Sequence, residues 1–113
     1  MDLKGTSTAL IVLLLAALLE TGGDAVIRIG LRASNPFLRT TLFTVAAVIL
    51  FTYGYVVNLP LWDFGRLLGI YIVFFFVVAQ ILSWTVFHQQ PSRPILLGGA
   101  FIVVGGIIIS VNP

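Results

Sequence analysis

Glu20, Asp24 and Arg28 are three ionisable residues that follow one another at four-residue intervals inside a strongly apolar stretch. In an α-helix this spacing places them on one face, with neighbouring side chains about 6 Å apart. Residues 9–19, which precede Glu20, include no polar side chain at all. A carboxylate at bilayer depth costs about 3 kcal/mol or more unless it is solvated, paired or protonated. This pattern is typical of a site that binds a proton or a cation.

The overall composition indicates that these side chains lie in a membrane. The chain has 113 residues, of which 59% are hydrophobic and only 9% are charged, and its mean hydropathy is +1.13. A soluble domain of this length cannot bury so much apolar surface. We therefore predict an integral protein of the plasma (cell inner) membrane. The chain has a net charge of only +2 and contains no basic tract, which argues against nucleic acid as a partner.

Four apolar stretches are each long enough to cross the bilayer as a helix. Segments rich in proline separate them, and proline ends helices and restricts the residue before it. Strand-like alternation is absent, so the predicted fold class is an all-α membrane protein whose short loops join antiparallel neighbours. The prediction is one domain, residues 1–113, with spans at about 7–30, 37–57, 62–87 and 94–111.

The positive charges give only a weak preference for one orientation in the membrane. Lys4 and Arg66 fall on one side of the predicted bundle, whereas Arg32, Arg39 and Arg93 fall on the other. Cytoplasmic loops carry an excess of Lys and Arg, so a strong bias would fix the topology. A weak bias permits insertion in both directions, which an antiparallel dimer would need.

Two interpretations of the charged face of the first helix remain open. In the first, burial and the like charge on Asp24 favour protonated Glu20, which exchanges its proton for a cationic substrate. In the second, Glu20, Asp24 and Arg28 form a structural ionic cluster in a non-transporting membrane partner or scaffold. We favour the first, because acids at mid-membrane usually serve a pathway. Tyr71 in the third helix can donate a hydrogen bond to Glu20 or stack on a cation, or it can simply pack among the phenylalanines of that helix; the residues alone leave both uses open.

Small residues indicate where helices approach one another closely. Gly23 lies beside the acidic residues, where it serves either helix packing, which we favour, or the accommodation of a ligand. Gly98 and Gly105 in the fourth helix are seven residues apart, as are Gly99 and Gly106. This stripe predicts either a dimer seam between the fourth helices of two chains, which we favour, or packing within one bundle.

Motifs for other kinds of chemistry are missing from the sequence. We find no nucleophile–base pair, phosphate-binding loop, haem motif or flavin motif, so we expect neither an enzyme nor a cofactor. The chain has no cysteine, and His88 has no neighbouring metal ligands, so no metal site is expected. The apolar spans also provide no polar pore lining, which disfavours an ion channel.

Short motifs spread along the chain carry a resemblance to a known family. They are Leu19-Glu20-x-x-Gly23, Leu82-Ser83-Trp84 with the turn that follows it, the glycines of the fourth helix, and Gly65-Arg66 followed by Tyr71. This pattern resembles the small multidrug resistance transporters of the drug/metabolite transporter superfamily, and also their YnfA-type relatives, in which Gly-Arg and Tyr occur at the same spacing.

The resemblance implies an antiparallel dual-topology homodimer in which two Glu20 side chains face one cavity. It also implies alternating access driven by protons, with Glu20 binding proton and substrate in competition. Together with the residues themselves, this leads us to expect proton-coupled export of small organic cations, with Glu20 as the shared proton and substrate site, Asp24 as an auxiliary acid and Tyr71 as the pocket aromatic. The expected partners are the lipid bilayer, a small cationic substrate and a second copy of the chain. Three features depart from the family pattern: the extra acid Asp24, the bulky segment 73–76 in place of glycines, and His88 in place of a loop glycine.

Overall fold

Four α-helices account for most of residues 5–111, the part of the chain that this computed structural model describes. Each helix is long and apolar enough to cross a bilayer. The four predicted spans are therefore confirmed, and each observed end lies within two residues of its predicted position. Lys4, which entered the charge comparison, lies outside the described residues. The helices are α1 (Thr6–Leu31), α2 (Pro36–Val57), α3 (Phe64–Thr85) and α4 (Arg93–Val111).

The turn after α3 explains why this helix ends earlier than predicted. His88 adopts a left-handed backbone conformation, with φ 58°. The chain then reverses, and the backbone N–H of Gln89 donates a hydrogen bond to the carbonyl of Ser83 at 2.9 Å. Glycine adopts a positive φ at no steric cost, whereas histidine does not. The backbone at His88 thus has the conformation that suits the glycine expected there from the family resemblance.

Helix α1 packs between α2 and α3, whereas α4 packs against α3. A heptad series of small residues on α1 is fully or almost fully buried, and its last two members, Gly23 and Gly30, contact α2. Small residues allow helix backbones to approach closely in a membrane, where the hydrophobic effect does not drive helices together. The series consists of Ala9, Ala16, Gly23 and Gly30.

The second face of α1 carries the small apolar core. Leu13 and Ala17 are completely buried and pack with residues of α3 such as Ile70 and Tyr71. Most other large apolar side chains point outward, as shown by Phe37, which is 80% exposed. An outer surface of this kind is suited to lipid, because apolar side chains pack favourably against the hydrocarbon tails and would be unfavourable in water.

Arginines lie at the membrane ends of the helices, as the sequence predicts. Arg39, at the start of α2, donates from Nε to the carbonyl of Gly30 at 3.2 Å and from Nη2 to that of Leu31 at 2.8 Å. These carbonyls belong to the last turn of α1, where the regular helical N–H donors run out, although the Gly30 carbonyl also accepts from the N–H of Ala33 at 3.2 Å. Arg39 therefore caps α1 and ties it to α2.

Candidate functional site

The centre of the candidate site is a hydrogen bond between two helices in the middle of the bundle. Tyr71 of α3 donates its hydroxyl to Oε1 of Glu20 on α1 at 2.7 Å. Tyr71 is only 3% exposed, and Glu20 is half-buried. A hydroxyl that donates to a carboxylate forms a charge-assisted hydrogen bond, which is about twice as strong as one between neutral groups. The structure thus places the two residues in the contact that the sequence suggested.

The register between α1 and α2 brings a second tyrosine to the same place. Gly30 contacts Phe43, and Gly23, seven residues earlier on α1, contacts Leu50, seven residues later on α2. The two helices are therefore antiparallel, and one further turn places Tyr53 opposite Glu20. The rings of Tyr53 and Tyr71 lie 5.7 Å apart, centroid to centroid. Tyrosines from the helices on both sides of α1 consequently flank the carboxylate.

From the sequence, Tyr53 and Tyr55 can serve either as pocket-lining residues or as anchors at the membrane interface, and the second use is the commoner one; for Tyr53 the structure matches the first. Its ring packs against the buried core instead, whereas Tyr55, two residues later, is 68% exposed. The signal that could have identified it is the series of small residues on α1. That series marks the face that approaches α2, and so the face of α2 that lies opposite Glu20.

Asp24 lies one turn beyond Glu20 and lines an open groove of about 230 Å³ between α1 and the end of α3. We call this the α1–α3 groove. Asp24 is exposed within it, and Arg28 lines it one turn farther along the same helix. Ser83 and Gln89 add a hydroxyl and an amide on the α3 side. The acid that reaches open space is therefore Asp24, whereas Glu20 is bonded to Tyr71.

The structural ionic cluster considered from the sequence does not form among residues 5–111. The guanidinium of Arg28 lies over the ring of Phe87, 5.4 Å from its centroid. The Glu20 carboxylate accepts a hydrogen bond from Tyr71. Two of the three charged side chains of this face thus have partners from outside α1, and the spacing of four residues did not produce the ion pair that the second interpretation required. Phe87 is distant in the sequence, so spacing along one helix could not have indicated it.

Gly23 serves close packing between α1 and α2. A Cβ atom at this position would lie 2.6 Å from Cδ2 of Leu50, so a larger residue would force the Leu50 side chain or the helices to shift. The neighbouring Gly22 has no such contact within 4 Å. Of the two uses considered for Gly23, the geometry matches packing.

The glycines of α4 divide into two faces. A Cβ at Gly99 would collide with the ring of Phe76, and one at Gly106 would collide with Val73, so these two glycines receive bulky side chains of α3. Val73 and Phe76 belong to the bulky segment that departs from the family pattern, and glycines on α4 make room for it.

Gly98 and Gly105 form the other face of α4, which we call the open glycine face. A Cβ at either position would have no neighbour within 4 Å in the described part of the chain. The two interpretations made from the sequence therefore apply to different glycines. Gly99 and Gly106 pack within the bundle, whereas Gly98 and Gly105 are available for a dimer seam.

Comparison with known proteins identifies the family. A model of the family described as "Uncharacterised BCR, YnfA/UPF0060 family" matches residues 6–113, nearly the whole chain. The chain belongs to the YnfA/UPF0060 family. This confirms the YnfA-type resemblance that the motifs indicated.

Relatives in the YnfA/UPF0060 family match this chain over most of their length. A UPF0060 membrane protein of Herpetosiphon aurantiacus is 33% identical over 104 residues, which cover 89% of this chain and 91% of the relative. A UPF0060 membrane protein of Clostridium beijerinckii is 32% identical over 102 residues, which cover 88% and 89%. No solved structure matches this chain significantly. With its four apolar helices, the YnfA/UPF0060 protein described here is a multi-pass membrane protein.

Proposed function

We propose that this YnfA/UPF0060 protein is a proton-coupled transporter that exports small organic cations, with Glu20 as the shared site for proton and substrate. The observation that carries the proposal is the hydrogen bond from buried Tyr71 to Glu20 in the middle of α1. A carboxylate at this depth is costly, and a single hydroxyl leaves most of its lone pairs free for a proton or a cation.

The surroundings of Glu20 support exchange rather than a static structural role. Its carboxylate has no arginine partner among the described residues, because Arg28 stacks on Phe87 instead. Asp24 supplies a second acid one turn away, in the open α1–α3 groove. Aromatic rings of Tyr53 and Tyr71 flank the carboxylate and can contact an organic cation through their faces.

The transporter is proposed to work as an antiparallel homodimer joined through the open glycine face of α4. Helix α4 packs against α3 with Gly99 and Gly106, its only buried residues in the described chain, whereas Gly98 and Gly105 have no neighbour that a Cβ atom would meet within 4 Å. In a dimer of opposite orientation, Gly98 of one copy meets Gly105 of the other, whereas a parallel pair brings identical positions together.

Cysteine cross-linking distinguishes these arrangements, since the native chain contains no cysteine. A mixture of Gly98→Cys and Gly105→Cys chains should cross-link in the membrane more efficiently than either variant alone. Efficient cross-linking of each variant with itself, and not of the mixture, would instead indicate a parallel pair. Absence of any cross-link would remove the α4 dimer from the proposal.

Proton flux in liposomes tests the central role of Glu20. Purified protein is reconstituted with a pH-sensitive dye inside, and a gradient of guanidinium or tetramethylammonium is imposed; both are permanently charged and do not cross as neutral bases. The unaltered protein should move protons against the cation, and Glu20→Gln should abolish this flux. The matched control is Asp63→Asn, which removes an exposed carboxylate at the start of α3 and should leave the flux intact. Undiminished flux with Glu20→Gln would refute the proposal.

A further inference from the structure

The α1–α3 groove presents two opposite charges that do not neutralise each other. The Asp24 carboxylate and the Arg28 guanidinium both line it, one helical turn apart, at about 6 Å along the helix surface. Residues at this spacing ordinarily form an ion pair when nothing competes. Here the ring of Phe87, 5.4 Å away, holds the guanidinium on the α3 side of the groove.

Neutral polar groups lie on the opposite wall of the same groove. The Ser83 hydroxyl donates to the backbone carbonyl of Gln89 at 3.3 Å and to its side-chain oxygen at 3.4 Å. Both distances lie beyond the usual range of O–H···O hydrogen bonds, so these bonds are weak. A ligand with its own donors and acceptors can therefore replace them at little cost.

The size of the groove limits what can occupy it. Its volume of about 230 Å³ lies below the roughly 300–1,000 Å³ that is typical of sites for drug-sized molecules. A small solute fills this groove, whereas a large polyaromatic cation would extend beyond it. Phe75 and Leu82 line the inner wall, which suits a short aliphatic chain between two polar ends.

We propose that the α1–α3 groove is a subsite for small zwitterions, that is, for short aliphatic amines that also carry a carboxylate or a phosphate. The ammonium binds the Asp24 carboxylate, and the anionic group binds the Arg28 guanidinium, which can accept it with two parallel N–H···O bonds. This subsite rests on the proposed function, since it narrows the substrates from organic cations in general to those with an anionic group nearby. Arg28 then selects the substrate in addition to packing on Phe87.

Three matched ligands test the subsite on the unaltered protein. Calorimetry in detergent micelles compares 4-aminobutanoate, butylamine and butanoate, which share a chain length and differ only in their charged ends. We expect 4-aminobutanoate to bind at least about tenfold more tightly than butylamine, because it makes one more charged contact, and butanoate to bind weakest. Equal or tighter binding of butylamine would overturn the proposal, and this comparison needs no variant.

Variants then test which residue binds the anionic group of the ligand. Arg28→Gln should weaken 4-aminobutanoate about tenfold and leave butylamine unchanged, and Arg28→Lys should retain part of the preference. The control is Arg32→Gln, just beyond the end of α1, whose guanidinium bonds the Arg28 carbonyl and does not line the α1–α3 groove. It should change neither affinity. Equal weakening of both ligands by Arg28→Gln would indicate a structural effect and contradict the assignment.

The outcome is separable from that of the proposed function. Ligand preference is measured in micelles without any proton gradient, whereas the transport proposal depends on the flux lost in Glu20→Gln. A preference for 4-aminobutanoate together with a flux unaffected by Glu20→Gln would refute the transporter and keep the subsite. A flux that depends on Glu20 without this preference would refute the subsite alone.

Discussion

Arg28→Gln distinguishes most sharply between a functional and a purely structural charged face on α1. The Arg28 side chain is exposed, and its contact is with the face of Phe87 at 5.4 Å rather than with a carboxylate. A cation–π contact at an exposed site contributes about 0.5–1 kcal/mol, and the favourable position of a cation in the last helical turn adds a few tenths more. We therefore expect Arg28→Gln to lower the free energy of unfolding by about 1 kcal/mol.

A structural ionic cluster predicts a much larger loss. Removing one partner of a buried ion pair costs about 3–5 kcal/mol, because the other charge is left uncompensated. A loss of that size could prevent the variant from folding at all. The two explanations thus differ by at least about 2 kcal/mol, which exceeds the error of an unfolding titration.

Arg39→Gln is the matched control at the same end of the bundle. Arg39 donates two hydrogen bonds to the last carbonyls of α1, at 3.2 and 2.8 Å. Its loss removes two charged hydrogen bonds and leaves two carbonyls at a membrane boundary without that donor, for which we expect about 2–3 kcal/mol. We therefore expect Arg39→Gln to lower the free energy of unfolding more than Arg28→Gln does.

Titration with SDS in mixed micelles, followed by the fluorescence of Trp62 and Trp84, measures both losses in one experiment. Circular dichroism before the titration establishes that each variant starts from the same helical content. If Arg28→Gln cost 3–5 kcal/mol, or more than Arg39→Gln, our interpretation of the charged face would be refuted.

Three further variants test the packing of α4 and the turn after α3. Gly106→Ala should reduce the free energy of unfolding by about 1–3 kcal/mol, because the new methyl group meets Val73, whose β-branched side chain is stiff in a helix. Gly98→Ala on the open face should instead raise the stability of the monomer by up to about 1 kcal/mol; equal effects of the two in SDS titrations would contradict the assigned faces. His88→Gly should raise stability by up to about 1 kcal/mol, since glycine accepts φ 58° without strain; a loss in the same titration would show that the histidine side chain matters more than the backbone.

The sequence was sufficient to predict the number of helices, their bounds and the contact at the centre of the site. Hydropathy determines the spans because a helix in hydrocarbon must be apolar over a fixed length. Glu20 was identifiable because a carboxylate interrupts a continuous apolar run. Tyr71 was a candidate partner because it is a hydroxyl-bearing residue of the apolar third helix and because the family resemblance has Tyr at this spacing, and α3 does place the hydroxyl at 2.7 Å.

Contacts that depend on the rotation of one helix against another could not be predicted. Gly98 and Gly99 belong to equivalent heptad pairs, and only the positions of the bulky residues on α3 decide which pair is covered. The same limitation applies to Arg28. The sequence shows that Asp24 lies four residues from Arg28, but it does not show that the fold brings the ring of Phe87 beside the guanidinium. Tyr53 was missed because its role follows from the antiparallel register between α1 and α2.

Proton release from detergent-solubilised protein on addition of a small cation tests the central claim most directly. In a weakly buffered solution with a pH-indicator dye, guanidinium should displace protons from the unaltered protein, because cation and proton compete for Glu20. The Glu20→Gln variant should release none, whereas Asp63→Asn should behave like the unaltered protein. Release of the same number of protons from Glu20→Gln, or cation binding to the unaltered protein without any release, would contradict the account.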